Sequence, residues 1–387
     1  GLNDMLPDQT QVLKFHSELK DALVASPTSV PASITSKVSS TPILASAADE
    51  SSGLTPLILS SKNAAYTAYL LASGAPWNAL DRAGKCAGNH ASEAGCQEVV
   101  DLLVSHATRS EMLLGQVFRN LGGKNANPSV VDVGEDTSAP LQKCTKGDYL
   151  GRSVRYEGDV LLDDDDDAVM MEWERPLMAL HAEVICPRGS RVMNVGFGMG
   201  IIDGILSSKE PKHHTIVEAH PGVLKKMRED GWMNRPGVTV LEGRWQDVMS
   251  RVPDGSLDGV FFDTYGENHT DLEDFHAILP RVMSAGGTYS FFNGLCPDNI
   301  FFHGVACNVV KLGLEGLGFE VEFAPCEIKV DDGDWVGVRR KYWHFDQYFL
   351  PICKLGKAKN DDDDDRDDER KKKLGKDKND DDDDRDD

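Results

Sequence analysis

A run of apolar residues that ends in alternating glycines limits this chain more than any other feature. Val192-Met193-Asn194-Val195 leads into Gly196-Phe197-Gly198-Met199-Gly200. Glu218 follows about twenty residues after Gly198, at the end of a second apolar run, Thr215-Ile216-Val217. The pattern reads as a strand, a tight turn, a helix and a second strand with a carboxylate at its tip. Nucleotide-like ligands sit at such crossovers, the acid taking ribose hydroxyls and the helix N-terminus facing an anion. A dinucleotide fingerprint needs its third glycine at position 201, where this chain has Ile201. The spacing therefore favours S-adenosylmethionine over a nicotinamide dinucleotide. Taken alone, the same residues also fit a structural glycine turn with no ligand.

Composition narrows the field. The 387 residues, 40% of them hydrophobic, suffice for one full α/β domain and a smaller companion. A net charge of −23 argues against a nucleic-acid binder and suits a cationic partner such as an arginine-rich protein. Part of that acidity lies in a repetitive tail and says little about a binding surface. The eight cysteines are scattered singly, with no CxxC and no Cys/His pair at zinc spacing, as suits a reducing compartment. No apolar run reaches the roughly 18 residues of a membrane span, and residues from Gly1 onward lack a basic-then-apolar leader. The expectation is a soluble, intracellular protein with no nucleic acid, membrane or metal partner.

Residues 1–48 hold a helical period over 9–24 and a Ser/Thr/Pro-rich stretch, 28–42, that reads as a mobile linker. Residues 49–121 carry a repeat-like pattern. Gly53-Leu54-Thr55-Pro56-Leu57, Leu70-Leu71, Gly74-Ala75, Asn78 and Asp81 make one copy. A degraded second copy starts at Gly84 and runs through Ala91, Gly95, Leu102 and Leu103. This spacing is close to the roughly 33-residue ankyrin period, although Ile58 stands where the ankyrin signature has His. So short an array needs a cap, expected from a helix over 111–120, and an irregular helical hairpin is the alternative. Residues 122–148 read as a second linker. Within 149–355 strand patterns fall at 192–195, 215–218, 238–241, 257–263, 288–293, 319–323 and 342–352. They predict an α/β fold: an open, mostly parallel, Rossmann-like sheet whose last two strands pair as an antiparallel hairpin. Residues 356–387 repeat a Lys/Asn segment followed by five aspartates, have no apolar face and are expected to be disordered.

Further motifs flank the glycine turn. Met170-Met171-Glu172-Trp173-Glu174-Arg175-Pro176-Leu177-Met178 precedes it. Glu218-Ala219-His220, Gly243-Arg244-Trp245-Gln246-Asp247 and Phe262-Asp263-Thr264-Tyr265 follow. Together with the turn, this set resembles the guanidinoacetate methyltransferase group. Within it the chain is most similar to the fungal type IV arginine N-methyltransferases, which modify the internal (δ) guanidine nitrogen and carry ankyrin-like repeats ahead of the catalytic domain. The resemblance covers residues 53–355 and implies S-adenosylmethionine as methyl donor, with no metal. It places Tyr156 and Met170 over the adenosyl group and Met178 in the lining of its pocket. Phe197, Gly198, Met199, Gly200, Ile201 and Ile202 would lie under the methionyl part. Glu218 would take the ribose hydroxyls, with Ala219 and His220 beside it. Arg244, Trp245 and Gln246 would sit by the adenine, and Asp263 at the reacting end. It also implies an arginine-bearing protein substrate, a ribosomal protein among the candidates, and a monomer working in cytoplasm and nucleus.

An arginine side chain sets its own chemical demands. Guanidinium is cationic, delocalised and a poor nucleophile at neutral pH. A bidentate carboxylate can fix its plane and draw charge away from the attacking nitrogen. Glu174 and Asp263 are the catalytic candidates, Asp263 because it ends a strand at the carboxyl edge of the sheet. A cofactor-only or capping role for Asp263 and a helix N-terminal charge for Glu174 are the plainer readings. Tyr265 fits a substrate contact and a core aromatic equally. The aspartates at 163–167 read as a solvated loop, and His213, His214 and His220 have no ligand partner for zinc. Asn194 stands where many methyltransferases have an acid. Two rivals remain on this scaffold: a small-molecule guanidine methyltransferase, and a repeat-based binding protein with an inert methyltransferase fold. Gly294-Leu295-Cys296 lacks the Leu-Thr-Ser hydroxyls with which the small-molecule enzymes hold a substrate carboxylate, which favours a protein substrate.

Overall fold

The computed structural model describes residues 7–120, 146–266 and 269–356. The expected linker at 122–148 and tail at 356–387 fall almost entirely outside them. Apolar residues at helical spacing build Gln9–Ala25, which buries Val12, Phe15, Leu19 and Ala22 and is capped by Asp8. The Ser/Thr/Pro stretch behind it corrects the sequence reading. Instead of a mobile linker it forms the helix Ala32–Ser40, whose Ile34 and Val38 are buried in one cluster with Phe15 and Leu19. Two apolar anchors four residues apart outweigh the weak helix propensity of Ser and Thr. Two helix pairs follow, Pro56–Leu59 with Ala64–Ala72 and Ala87–Glu93 with Gln97–Asn120.

A small antiparallel sheet comes next: β1 (Arg155–Glu157), β2 (Val160–Leu162) and β3 (Ala168–Met171). The main sheet contains β4 (Arg191–Val195), β5 (His213–Glu218), β6 (Val238–Glu242), β7 (Leu257–Phe262), β8 (Met283–Phe291), β9 (Phe319–Glu327) and β10 (Gln347–Leu355). Their order is β6-β5-β4-β7-β8-β10-β9, parallel from β6 to β8, with β10 antiparallel to both neighbours. Residues of β4 and β7 are nearly all buried, as expected of parallel strands covered on both faces. The mostly parallel sheet and its closing hairpin match the expectation. The last strand starts later than predicted, so Tyr342 lies in the connection from β9 and not within β10. Strand order reverses at β4, with β5 on one side and β7 on the other. The carboxyl ends of these strands open the crevice where such sheets bind ligands.

One helix joins the two parts of the molecule. In Ile300–Glu315, Phe301, Phe302 and Val305 are buried with Leu70, Trp77, Ala87 and Leu103 of the N-terminal helices. Val310 and Leu314 of the same helix are buried with Tyr289 and Phe319 of the sheet. Gly88 is required here, since a Cβ would come within 2.1 Å of the Phe301 ring. Phe302 meets Trp77 edge-on at 5.6 Å, and Asn89 and Asn299 exchange side-chain hydrogen bonds of 3.2 and 3.0 Å. Phe301→Ala is therefore expected to cost about 3–5 kcal/mol and to lower the thermal midpoint of the whole chain. A wild-type melting curve would show that this contact does not hold the parts together.

Candidate active site

The glycine turn is bound to both neighbouring strands. The N–H of Gly196 donates to Val217 O at 2.9 Å, and that of Asp263 to Val195 O at 2.9 Å. Gly196 has φ +97°, and a Cβ there would stand 1.8 Å from the carbonyl oxygen of Asp263. Only glycine lets the turn pass this close to the end of β7. Gly200, also left-handed, starts the helix Ile201–Ser208, whose positive end therefore lies at the turn.

Glu218, 8% exposed, accepts the N–H groups of Phe197 (2.8 Å), Ala219 (2.8 Å) and His220 (2.6 Å). Burial pushes its pKa up and these bonds pull it back. With the main-chain N–H of Gly198 also directed at it, the carboxylate is held on all sides, so Glu218 ties the turn to β5. Tyr156 and Met170 lie against the turn: the tyrosine hydroxyl donates to Gly198 O at 2.9 Å, and Met170 Sδ accepts from Met199 N at 3.3 Å. Met178, Phe197, Ile201 and Ile202 are buried together in the core behind it. Trp245 is packed edge-on to Phe262 (6.2 Å) and Phe275 (5.3 Å), while Arg244, Gln246 and Ala219 are half-buried. His220 uses both ring nitrogens, Nδ1 accepting from Gly222 N and Nε2 donating to Arg152 O, each at 3.1 Å. Asn194 donates to Gly196 O and to Asp203 Oδ2, both at 2.8 Å, so the buried acid beneath the turn is Asp203 on the following helix.

The two candidate acids meet at the open end of the sheet. After β3 the chain makes a turn, Glu172–Glu174, closed by Glu174 Oε1 accepting Met171 N at 2.8 Å. Pro176 then sets the first turn of the helix Arg175–Ile185. Glu174 is 3% exposed, and the Tyr342 hydroxyl donates to the same Oε1 at 2.5 Å. Both bonds fall on Oε1, which leaves Oε2 for another donor. Asp263 follows β7, and its Oδ2 is buried without a hydrogen-bond partner. Burial, and then the charge of Asp263, push the Glu174 carboxyl up to about 8. Burial pushes Asp263 up to about 7. A carboxyl pair so placed keeps a proton at neutral pH unless a cation with several N–H donors offsets the repulsion. Trp173, Trp335 and Tyr342 form an aromatic group around Glu174, with ring centroids 5.0–5.8 Å apart.

Tyr342 is the residue that sequence reading missed. It is far from Glu174 along the chain, and the only local hint is its place in the basic-aromatic run Arg339-Arg340-Lys341-Tyr342-Trp343. Tyr265 packs as an aromatic, edge-on to Tyr149 at 4.8 Å, and its hydroxyl donates to Asp163 Oδ2 at 3.1 Å. That contact corrects the reading of 163–167 as a wholly solvated loop, because Asp163 is 1% exposed.

The raised carboxyls carry a stability consequence. Both native pKa values lie above those of the unfolded chain, so between about pH 4 and pH 8 the native state binds more protons and loses stability as pH rises. Glu174→Gln keeps an acceptor for Tyr342 and Met171 and removes the charge. Its thermal midpoint should exceed the wild type's at pH 9 by about 2–4 °C per kcal/mol relieved, with no gain at pH 5. Equal midpoints at both pH values would deny that the pair is strained.

A seven-stranded sheet with this order, a glycine turn after its central strand and acids at the ends of β5 and β7 define the class: a Rossmann-like, S-adenosylmethionine-dependent methyltransferase. A family model described as guanidinoacetate N-methyltransferase matches residues 143–297. Protein arginine N-methyltransferase 2 of Emericella nidulans is 34% identical over 324 residues, covering 74% of this chain and 76% of that protein. The proteins of the same name are 41% identical over 221 residues in Yarrowia lipolytica, covering 53% of this chain and 46% of that protein, and 30% identical over 310 residues in Saccharomyces cerevisiae, covering 72% and 74%. The chain belongs to the protein arginine N-methyltransferase 2 family.

Proposed function

We propose that this protein methylates the δ-nitrogen of arginine residues in a protein substrate, with S-adenosylmethionine as donor, in the manner called type IV. The observation that carries the reading is the pair of acids at the carboxyl end of the sheet, close enough for their charges to interact: Glu174, whose Oε1 takes both Tyr342 and Met171, and Asp263, whose buried Oδ2 has no hydrogen-bond partner. The turn fits the donor: a backbone cradle that only glycine can form, a helix N-terminus for a carboxylate, and the Glu218 carboxylate at the tip of β5, where a ribose would lie. Bound there, S-adenosylmethionine supplies an activated methyl group. The chain's own residues do the rest. Glu174 and Asp263 hold the guanidinium by its N–H groups and concentrate its charge away from the δ-nitrogen. One of the two carboxylates accepts the δ N–H proton, and an acid whose pKa lies near neutrality suits that task. Tyr342 keeps Glu174 in place.

Two features favour a protein over a small guanidine as substrate. Gly294-Leu295-Cys296, in the loop after β8, offers no hydroxyl for a free carboxylate. The N-terminal helix pairs, which we read as ankyrin-like, offer a surface of the kind that binds proteins. We place the substrate among arginine-rich proteins such as those of the ribosome, met in cytoplasm and nucleus by a monomeric enzyme. The deciding experiment supplies methyl-labelled S-adenosylmethionine to the protein with a cell extract that retains its small molecules, followed by hydrolysis of the labelled protein. Label recovered as δ-N-methylarginine is the expected result. Label confined to small guanidines would replace this reading with the small-molecule enzyme, and no label in an active extract would favour an inert scaffold.

A further inference from the structure

The five consecutive aspartates at 163–167 form the turn between β2 and β3, and they reach the active site through the other end of the chain. Asp163 shapes the turn, its Oδ1 accepting the N–H groups of Asp165 (2.9 Å) and Asp167 (3.0 Å). Arg152 pairs with Asp165 and Arg155 with Asp166, and Arg155 also donates to Asp163 O at 2.8 Å. From the connection between β9 and β10, Arg339 N donates to Asp166 O at 2.9 Å. The Arg339 guanidinium lies 3.8 Å from Asp165 and 3.7 Å from Asp167, and that of Arg340 lies 3.9 Å from Asp167. Two residues beyond Arg340 stands Tyr342, whose hydroxyl is on Glu174.

Singly, half-exposed ion pairs of this length contribute little, but several that converge on one turn form a network. Crowded aspartates repel one another until cations reach them, so the turn draws the Arg339-Arg340 segment to itself. Without that tether the connection would have to lose its own conformational freedom to bring Tyr342 to the buried carboxyl. We propose that the 163–167 turn is a clasp: it holds the β9–β10 connection so that Tyr342 sits on Glu174, and it thereby sets how well Glu174 receives the substrate cation. This rests on the function proposed above. Asp165, Asp167, Arg339 and Arg340 are positioning residues that act through Tyr342.

The test uses the full chain with Asp165→Asn and Asp167→Asn together, which keep the backbone bonds and remove the charges facing the arginines. Turnover on an arginine peptide should fall about tenfold, the loss expected for a weakened hydrogen bond to a charged group, while KM for S-adenosylmethionine stays within about twofold of wild type. Tyr342→Phe should show a similar loss, and combining it with the Asn pair should add nothing further. Arg339→Lys with Arg340→Lys should retain most of the rate, because charge is kept. Amide hydrogen exchange gives a readout independent of turnover: residues 328–346 should exchange faster in the Asn pair, with the strands β4 and β7 unaffected. Unchanged exchange and turnover would overturn the clasp, as would losses that add to that of Tyr342→Phe. Should the wild-type protein methylate no arginine at all, the proposed function fails, and exchange still decides whether the turn holds the connection.

Discussion

Asp263→Asn is expected to lower turnover by about 10²–10³-fold or more, the scale of losing a charged group aimed at the reacting centre. The fold should be nearly untouched. The bond from Asp263 to Val195 runs through the main chain, and the side-chain oxygen at stake has no partner to lose. Binding of S-adenosylmethionine should also change little. The same residue governs the pH dependence. With both carboxyls raised into the neutral range, kcat/KM for an arginine peptide should climb from about pH 6 to pH 8, as the pair gives up the proton that bars a cation. In Asp263→Asn the charge that helps to raise Glu174 is gone, so the residual activity should rise at lower pH than in the wild type. Single-turnover rates across pH 5.5–9 (a range set about the two pKa values) check both statements. A wild-type rate in the variant would remove Asp263 from the chemistry.

Gly196→Ala should abolish cofactor binding and cost more stability than any ordinary loop substitution. A left-handed backbone costs an L-residue about 1–2 kcal/mol. The larger effect is contact, because the new methyl would stand 1.8 Å from Asp263 O and 2.9 Å from its carbonyl carbon. Neither is a flexible side-chain tip. Either the turn or the end of β7 has to move, and with it Asp263. Gly204→Ala is the matched control: it lies in the helix that follows the turn, and an added Cβ there meets nothing within 4 Å. Calorimetric titration with S-adenosylmethionine should give no measurable heat for Gly196→Ala and a near-wild-type isotherm for Gly204→Ala. Equal affinities would mean that the turn does not cradle the ligand.

The main sheet was legible in the sequence because buried parallel strands write themselves as short apolar runs between turn signals, and 192–195 and 257–263 are such runs. The last strand was less so, since the aromatic residues of 342–345 extend the apolar signal beyond the segment that pairs with β9. Helix Ala32–Ser40 was hidden because its burial rests on Ile34 and Val38 alone, amid residues that favour turns. At the candidate site, Glu174, Glu218 and Asp263 stood out by their place at element ends. Tyr342 did not, because its role depends on the folded path of the β9–β10 connection. The aspartates at 163–167 misled for a related reason: their charge suggested solvent, whereas Asp163 faces inward to backbone amides and Tyr265.

Among the described residues, the helix that carries Phe301 and Phe302 into one core and Val310 and Leu314 into another fastens the N-terminal helices to the sheet. On the function proposed above, a protein seated on the N-terminal helices would be presented to the crevice at an offset set by that helix, as a workpiece is held in a jig. Selection among its arginines would follow their reach from the docked surface, more than the residues on either side of them.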